Sequence, residues 1–337
     1  MRYYGGKSKL LPFIESAVSE LALPNTPTFV DLFSGTSVVG RHFKERGFGV
    51  VANDSLYFCK CLATARVVLN TRPTFSQLAE DPIDVLNALN GEDGFFSQAY
   101  SPSGIAKRRY FSERNARQIE AVRHRIENWR VSNTISQLEA EYLIAALLEA
   151  ANLTSNVSGT YAAFLKSWDS RALNRLTLRH PEITVGQRDC EAFQSDAIEL
   201  VEHVFGDVFY LDPPYNTRQY SSNYFLLDII AHGWFTSTPQ VRGVTGMRDN
   251  SGFKSAFSSR RTAADALEKV VSKAKCRYLL LSYNNEGIIP QNEIIDMFQK
   301  YGRLNIKEFE HRRYKAVNHD PLRDTTTEYL FILRKDF

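Results

Sequence analysis

The stretch Asp207-Val-Phe-Tyr-Leu-Asp-Pro-Pro-Tyr215 decides the fold class of this 337-residue chain. Its apolar run up to Leu211 is typical of a buried strand, and the two prolines that follow cannot donate to a sheet ladder. The strand therefore ends in a stiff loop that carries Asp212 and Tyr215. In an open α/β sheet, ligands bind at the carboxyl ends of the strands. The stretch predicts an α/β protein whose functional site lies at this loop.

The residues Asp212, Pro213, Pro214 and Tyr215 suit the methylation of an amine on a heteroaromatic ring. Such an amine is a poor nucleophile because its lone pair is delocalised into the ring. The Asp212 carboxylate and the Pro213 carbonyl can each accept one N–H bond, which draws the nitrogen toward tetrahedral geometry. Tyr215 can stack on the flat base, a contact worth roughly 1–3 kcal/mol. An ordinary Asp-Pro turn is the alternative, and the complete pattern after an apolar strand disfavours it.

A second strand-and-turn pattern lies near the amino terminus, at Phe29-Val-Asp-Leu-Phe-Ser-Gly-Thr-Ser-Val-Val-Gly40. An apolar strand runs into a small-residue turn and then a helix from Val38 to about Arg46, and Gly35 lets the backbone approach a ligand closely. About twenty residues further on, the strand Val50–Asp54 ends in an acid, the spacing at which a carboxylate holds a ribose diol. The incomplete glycine pattern disfavours NAD. Taken alone, the turn fits any tight strand-to-helix connection.

These motifs together resemble those of the Dam-like (class alpha) DNA adenine N6-methyltransferases. Within that family, the chain is most similar to the branch of restriction-modification methylases of the FokI-methylase type. The segments that carry the resemblance are Tyr3-Tyr-Gly-Gly-Lys7, Phe33-Ser-Gly35, Asp54, Asp212-Pro-Pro-Tyr215 and Tyr215-Asn-Thr-Arg-Gln-Tyr-Ser-Ser-Asn-Tyr224. The resemblance covers both ends and most of the second half of the chain, whereas residues from about 70 to 150 match no family pattern. Ser37 stands where the family usually has a second glycine, and Tyr3 where Dam has tryptophan.

The resemblance implies S-adenosylmethionine as the methyl donor and assigns roles to individual residues. Tyr3 and Lys7 would contact the donor's methionine part, Asp54 its ribose and Asp189 its adenine amine. Asp212 would be catalytic, acting on an adenine that is flipped out of the duplex because its stacked amine is unreachable. The residues expected in the donor site are Tyr3, Lys7, Asp31, Phe33, Gly35, Asp54 and Asp189.

Composition limits the remaining classes. The net charge of +3 is too mild to indicate nucleic-acid binding by itself. The four cysteines lack metal-ligand spacing and predict reduced thiols in a cytoplasmic protein, and the seven histidines are scattered. We therefore expect no metal. The chain shows no signal peptide and no apolar run long enough to span a bilayer, so we expect no membrane partner.

The alternation of strands and helices is interrupted, which predicts a Rossmann-like methyltransferase sheet with a mostly helical inserted domain. Residues 1–69 and 181–337 form the predicted catalytic domain, and residues 70–180 the predicted DNA-recognition insertion. Residues 235–262, rich in Gly, Ser and basic side chains, are predicted to be a mobile loop, and a surface loop with no role is the alternative. After the insertion, strands are predicted at Ile183–Val185, Val208–Leu211, Arg277–Ser282, Leu304–Phe309 and Glu328–Leu333.

Basic residues cluster in the insertion between positions 107 and 130, where helical spacing places Arg114, Arg117 and Arg125 on one face. Such a face suits DNA phosphates, and a solvated helix with Glu/Arg pairs is the alternative. The segment Asn156–Tyr161 faintly resembles the family's DNA-facing segment, and an ordinary loop explains it equally well. The residues predicted to contact DNA are Arg108, Arg114, Arg117, Arg125, Tyr161, Lys166, Arg218, Arg248 and Lys254.

The sequence thus predicts a site-specific DNA adenine N6-methyltransferase with double-stranded DNA as partner. A modification role in a restriction-modification system is predicted, and the sequence leaves open whether the partner is a cognate restriction endonuclease or none. One alternative is the same chemistry on RNA or on the N4 amine of cytosine, and Asp212 favours adenine because N4 enzymes usually carry serine there. The other is a non-catalytic nucleic-acid-binding protein on a degenerate methylase fold. The presence of Asp54, Asp212 and Tyr215 disfavours this second alternative, because a degenerate fold need not keep the catalytic and donor-binding residues.

Overall fold

The chain forms two compact units, and the computed structural model describes residues 6–249, 251–312 and 325–335. The first unit contains Leu56–Val185 and Tyr220–Phe253 and is mostly helical. The second contains Lys7–Ser55, Gly186–Gln219 and the chain from Lys254 onward, and it holds a large sheet. Each unit has an apolar core of its own. Within the described ranges, no helix has the length and apolar character needed to cross a membrane.

The sheet unit contains seven strands, and a separate two-stranded hairpin lies in the helical unit. In chain order the strands are β1 (Thr28–Asp31), β2 (Gly49–Asp54), β3 (Glu191–Gln194), β4 (Phe205–Leu211), β5 (Val241–Arg242), β6 (Met247–Arg248), β7 (Lys275–Asn284), β8 (Gly302–Arg312) and β9 (Thr325–Lys335). The sheet order is β3-β2-β1-β4-β7-β9-β8. The pairs from β3 to β7 are parallel, and β9 is antiparallel to both of its neighbours.

The central strands are apolar because both faces of a parallel sheet are covered. On β4 the last four residues, 208–211, are all buried, and in the register Val30 lies opposite Phe209 and Leu211 opposite Leu281. Successive strands proceed outward from β1 in one direction and from β4 in the other. The strand order therefore reverses between β1 and β4, and their carboxyl ends form the crevice in which α/β proteins bind ligands.

Helices of both units follow local sequence signals. In the sheet unit they are α1 (Leu11–Ser19), α2 (Val38–Glu45), α8 (Ala197–Leu200), α11 (Ala263–Lys273) and α12 (Gln291–Gln299). In the helical unit they are α3 (Tyr57–Ala63), α4 (Pro82–Ala88), α5 (Phe95–Tyr100), α6 (Glu113–Val131), α7 (Gln137–Leu153), α9 (Tyr220–Asn223) and α10 (Phe225–His232). A capping box between Ser136 and Glu139 starts α7, whose apolar side chains are buried on nearly all sides.

The structure confirms the α/β class with a mainly parallel sheet, and it corrects two local predictions. The residues Ile183–Val185 form no strand, and the third strand is instead β3, which begins at Glu191. The helical unit also takes up α3 and residues Tyr220–Phe253, which we had assigned to the catalytic domain. Part of the predicted mobile loop forms the hairpin β5–β6, and the mobility of the loop stays a prediction.

Candidate active site

Three strands of the sheet unit end in carboxylates at the same edge. Asp31 ends β1, Asp54 ends β2, and Asp212 directly follows β4. Because the strands are parallel, their carboxyl ends lie side by side. Asn53 ties this edge together, since its Nδ2 donates to the carbonyls of Leu32 and of Ser195, each at 3.1 Å.

The turn between β1 and α2 is shaped by two residues with positive φ. Gly35 has a φ of 51°, and its N–H donates to Asp54 Oδ2 at 3.0 Å, so the turn and the second strand hold each other. Ser37 has a φ of 59° and directly precedes α2. A side chain in this left-handed region costs roughly 1–2 kcal/mol, which explains why glycine suits the position.

Asp31 is a buried carboxylate whose two oxygens differ. Oδ2 accepts the N–H of Gly40 at 3.2 Å. Oδ1 is buried and makes no hydrogen bond of good geometry with the described residues. Burial and the nearby negative charge of Asp212 raise the pKa of Asp31 to about 8. Asp54 raises this pKa further, and the hydrogen bond from the Gly40 N–H lowers it. A carboxyl with this pKa is largely protonated at neutral pH, and a cationic ligand beside it would favour its ionised form.

Lys7 supplies the positive charge at this edge. Its Nζ lies 3.1 Å from Asp212 Oδ1 and forms a closer ion pair with Glu328 on β9. Ser282 on β7 donates from its hydroxyl to Glu328 Oε1 at 3.0 Å. Lys7 and Glu328 are both almost fully buried. The catalytic loop is therefore anchored through one lysine to a carboxylate on the antiparallel strand.

These buried charges shift one another's protonation. Burial opposes the charged form of Lys7, but Asp212 and Glu328 outweigh it, and the pKa of Lys7 rises above its ordinary value. Burial raises the pKa of Asp212 to about 6, with Lys7 acting against the shift and Glu328 adding to it. Asp212 is therefore ionised near neutral pH but close to its titration range.

Tyr215 is held at both its backbone and its ring. Its carbonyl accepts the N–H of Ile288 at 3.0 Å, and its ring meets Tyr283 edge to face with centroids 6.0 Å apart. Lys7 Nζ lies 5.6 Å from the centroid of the Tyr215 ring. The half-buried ring thus has a fixed position beside Asp212 and presents an aromatic surface on which a planar base could stack.

The residues expected to bind the methyl donor do not all lie at the same place in the structure. Lys7, Asp31, Gly35 and Asp54 gather at the carboxyl edge of the sheet, and their binding of the donor stays a prediction. Phe33 follows β1 and meets Phe257 edge to face with centroids 5.0 Å apart. Tyr3 lies outside the described residues.

The placement of Asp189 is a correction. It precedes β3, so it lies at the amino edge of the sheet, where its side chain is exposed. The acid at the carboxyl end of β3 is Asp196, whose Oδ1 accepts the N–H of Ile198 at 2.7 Å and caps α8. Sequence reasoning missed Asp196 because it placed the third strand too early. It also missed Glu328, which lies 321 residues from Lys7 in the chain.

Three of the residues predicted to contact DNA pack within the helical unit, where Arg108 and Tyr161 are buried and the Arg248 side chain is 10% exposed. The guanidinium of Arg108 donates to the carbonyls of Val244, Ala99 and Gly243 at 3.0, 2.8 and 2.9 Å. Arg248 pairs with the buried Asp228. Tyr161 is fully buried. Their packing indicates structural roles, and we withdraw these three from the set that could meet phosphate.

The remaining predicted contacts are accessible. In the helical unit, Arg114 and Arg117 on α6 are exposed, Arg125 is half-buried, and Lys166 is exposed in a loop. Arg117 pairs with Asp93 at 3.0 Å, and Arg125 stacks over Trp129 with 5.8 Å between guanidinium and ring centre. Arg218 and Lys254 are exposed in the sheet unit. Among the described residues, no group of His, Cys, Asp and Glu side chains could hold a metal ion.

Comparison with known proteins places the chain in a family. The family described as D12 class N6 adenine-specific DNA methyltransferase matches residues 3–297. The chain is 37% identical over its whole length to Type II methyltransferase M.FokI of Planomicrobium okeanokoites and 36% identical to Modification methylase StsI of Streptococcus sanguinis. It spans about half of those two relatives, 53% and 52% of their lengths. It is also 35% identical to Type II methyltransferase M.NlaIII of Neisseria lactamica, with 100% of both chains covered.

The match extends over most of the chain and includes the turn after β1, the acid that ends β2 and the loop after β4. These segments are the ones whose side chains meet at the carboxyl edge of the sheet. The chain belongs to the D12 class of N6 adenine-specific DNA methyltransferases.

Proposed function

We propose that this protein transfers a methyl group from S-adenosylmethionine to the N6 amine of adenine in double-stranded DNA. The observation that carries the proposal is the placement of Asp212, a carboxylate that is only 16% exposed and close to its titration range, beside Tyr215 and at the same edge as Asp31 and Asp54. This arrangement combines an acceptor for an amine, a surface for a base and a site for a cationic nucleoside.

The residues present fit S-adenosylmethionine, which carries a sulfonium cation, an ammonium group and a ribose diol. The buried Asp31 Oδ1 without a well-formed hydrogen bond is the feature that a cationic group would satisfy. Asp54, held by the Gly35 N–H, is placed to accept from the ribose hydroxyls. Asp196 replaces Asp189 as our candidate for the donor's adenine amine, because it lies at the ligand edge.

The target adenine would be held by groups of the loop after β4. The ionised Asp212 accepts a hydrogen bond from one N6–H group and the Pro213 carbonyl accepts one from the other, so that the nitrogen lone pair points away from both. Tyr215, fixed against Tyr283, supports the face of the flipped base. When bound, the donor supplies an electrophilic methyl group. Lys7 keeps the Asp212 carboxylate in place and partly neutralised, and orientation supplies much of the reduction in barrier.

Target recognition would fall to the helical unit. The exposed arginines of α6 suit phosphate contacts, which position a duplex without selecting a sequence. Because M.FokI and M.NlaIII carry the name of Type II methyltransferases, we also propose that this protein is a modification enzyme paired with a restriction endonuclease of the same specificity.

Transfer of a labelled methyl group from S-adenosylmethionine tests the proposal. Purified protein would be incubated with labelled donor and either duplex DNA or RNA, and the nucleosides would then be separated. We expect label in N6-methyladenine from DNA. Label in N4-methylcytosine or in RNA would overturn the choice of substrate, and absence of transfer with intact donor binding would favour a binding protein on a methylase fold.

A further inference from the structure

Two apolar side chains of the helical unit project into solvent. Ile105 is 103% exposed and Val244 is 81% exposed, the two largest values among the large apolar side chains of the described residues. Ile105 lies in the loop that follows α5, and Val244 lies in the four-residue turn of the β5–β6 hairpin. Single exposed apolar residues are common on protein surfaces, so only the surroundings of these two could mark them as a binding site.

A buried arginine ties the two tips together. Arg108 follows the Ile105 loop, and its Nε and Nη2 donate to the carbonyls of Val244 and Gly243 in the hairpin turn. Its Nη1 donates to Ala99 O at the end of α5, 2.8 Å away. A Cβ on Gly246 would lie 2.7 Å from Arg108 Nε, so glycine is required there for the guanidinium to pack. Arg108 therefore fixes the hairpin turn that carries Val244 to the segment that follows Ile105.

Further bonds fix the hairpin to the body of the unit. The Tyr100 hydroxyl donates to Gly246 O at 2.9 Å. Arg248 on β6 pairs with the buried Asp228 of α10 and lies over the Phe253 ring at 4.1 Å. These contacts hold the hairpin tip in a fixed position against the body of the helical unit.

The charge around the tips identifies the kind of partner. Lys107 and Arg109 follow Ile105 by two and four residues, Arg242 precedes Val244 by two, and all three are exposed. The Arg109 guanidinium also donates to the carbonyl of Lys166. Apolar side chains between exposed basic groups are complementary to a nucleic-acid duplex, where phosphates border stacked bases. Proteins that kink or open a duplex insert such apolar wedges between base steps.

We propose that Ile105 and Val244 form an apolar wedge that enters the DNA duplex and unstacks a base step, with Lys107, Arg109 and Arg242 on the adjoining phosphates. The proposal rests on DNA being the substrate, as in the proposed function. It adds a means by which the helical unit lowers the cost of extruding a base, separate from any reading of sequence.

The test compares two duplexes of the same mixed sequence, one fully paired and one with a single central mismatch. Unstacking costs least at a mismatch, so a protein that inserts a wedge should bind the mismatched duplex roughly tenfold more tightly. Affinity would be measured by fluorescence anisotropy over a series of salt concentrations. Because no methyl transfer is needed, the outcome is independent of whether the protein methylates adenine.

Two sets of variants separate the wedge from the phosphate contacts. The double variant I105A/V244A should lose the preference for the mismatch and keep the salt dependence. The triple variant K107Q/R109Q/R242Q should keep the preference and lose about one unit of log–log salt slope per contact. The conservative pair I105M/V244I should behave as the wild type. All these side chains are exposed, and thermal unfolding would verify that each variant is folded.

A wild-type protein without preference for the mismatch would overturn the wedge, and so would an I105A/V244A variant that kept it. If the wild type shows the preference but transfers no methyl group to DNA in the labelling experiment, the wedge stands and the proposed function fails.

Discussion

The sheet unit and the helical unit bury charged side chains for opposite reasons. In the sheet unit, Asp31 is buried with one oxygen lacking a well-formed hydrogen bond. Burial, followed by the nearby negative charge of Asp212, raises the pKa of Asp31 to about 8. In the helical unit, the buried Arg108 is satisfied by three carbonyls, and Arg248 by Asp228. A buried charge with incomplete partners indicates a ligand, whereas one with a full set indicates architecture.

The largest effect should come from the carboxylate of the catalytic loop. Asp212→Ala should lower the single-turnover rate of methyl transfer on the order of 10³-fold, because it removes an acceptor needed chiefly in the transition state. Donor and DNA affinity should change little. Rapid-quench measurements of methyl transfer would check this.

Asp207 at the other end of β4 is a matched control for Asp212. Its Oδ2 accepts the Thr28 N–H at 2.8 Å, far along the strand from the loop. Asp207→Ala should keep the catalytic rate. If both variants transferred methyl groups at the wild-type rate, Asp212 would have no catalytic role and the contrast between the two units would lose its main support.

The accessible arginines of α6, two exposed and one half-buried, should act on DNA binding and not on stability. Replacing Arg114, Arg117 and Arg125 together by glutamine should weaken binding to any duplex about 100-fold at 0.1 M salt and reduce the salt slope by up to three units. The sequence that is methylated should not change. Binding titrations at several salt concentrations would measure this, and an unchanged slope would show that the face is only solvated.

Arg248 provides the opposite case within the same unit. Arg248→Met should lower the free energy of unfolding by roughly 3 kcal/mol, because it leaves Asp228 buried without its cation. Urea denaturation would measure the loss. A stability equal to that of the wild type would mean that the ion pair is not structural and would return Arg248 to the DNA-contacting set.

Three acids of the sheet unit should differ in their effect on the donor. Asp54→Ala should weaken S-adenosylmethionine binding by roughly 1–3 kcal/mol, the cost of unpaired polar groups. Asp196→Ala should also weaken it, whereas Asp189→Ala should not, because Asp189 lies at the amino edge. Calorimetry would compare them. A loss of affinity for Asp189→Ala alone would reverse our correction.

The pH dependence of catalysis should report the charges around Asp212. Only the ionised carboxylate accepts the amine protons, so the single-turnover rate should fall as the pH drops through about 6, where burial sets the pKa of Asp212. Glu328 adds to that shift and Lys7 opposes it. Glu328→Gln should therefore move the acid limb to lower pH, and Lys7→Met should move it to higher pH. An acid limb at the wild-type pH in both variants would show that Glu328 and Lys7 have a packing role and do not affect the pKa of Asp212.

The smallest effect concerns the turn before α2. Ser37→Gly should raise the free energy of unfolding by about 1 kcal/mol, because Ser37 has a φ of 59° that glycine adopts without strain. Asn133, with a φ of 56°, is the control, since asparagine tolerates this conformation. Asn133→Gly should therefore gain less in urea denaturation. An equal gain at both positions would contradict the strain at Ser37.

The sequence was informative where local patterns determine structure. Apolar runs located β1, β2, β4 and β7, and the prolines after Leu211 located the catalytic loop. The third strand was misplaced because β3, at the sheet's edge, is short and only half-buried, so it has no apolar run. The acid at its carboxyl end was therefore misassigned to Asp189.

Partners distant in the chain could not be inferred from sequence. Glu328 joins Lys7 across 321 positions, and no local pattern marks a carboxylate in an antiparallel strand as part of a site. The same limit applies to arginine. Arg108 and Arg114 look alike in the sequence, and only the fold shows that one is enclosed by carbonyls and the other is exposed.

The central claim is that the carboxylate of Asp212 directs methylation to adenine in DNA. It is tested most directly by sequencing, with detection of modified bases, the genome of a bacterial host that expresses either the wild-type chain or Asp212→Ala. We expect N6-methyladenine at one recurring sequence with the wild type and none above background with the variant. N4-methylcytosine instead, no modified base with the wild type, or equal N6-methyladenine with both chains would contradict the claim.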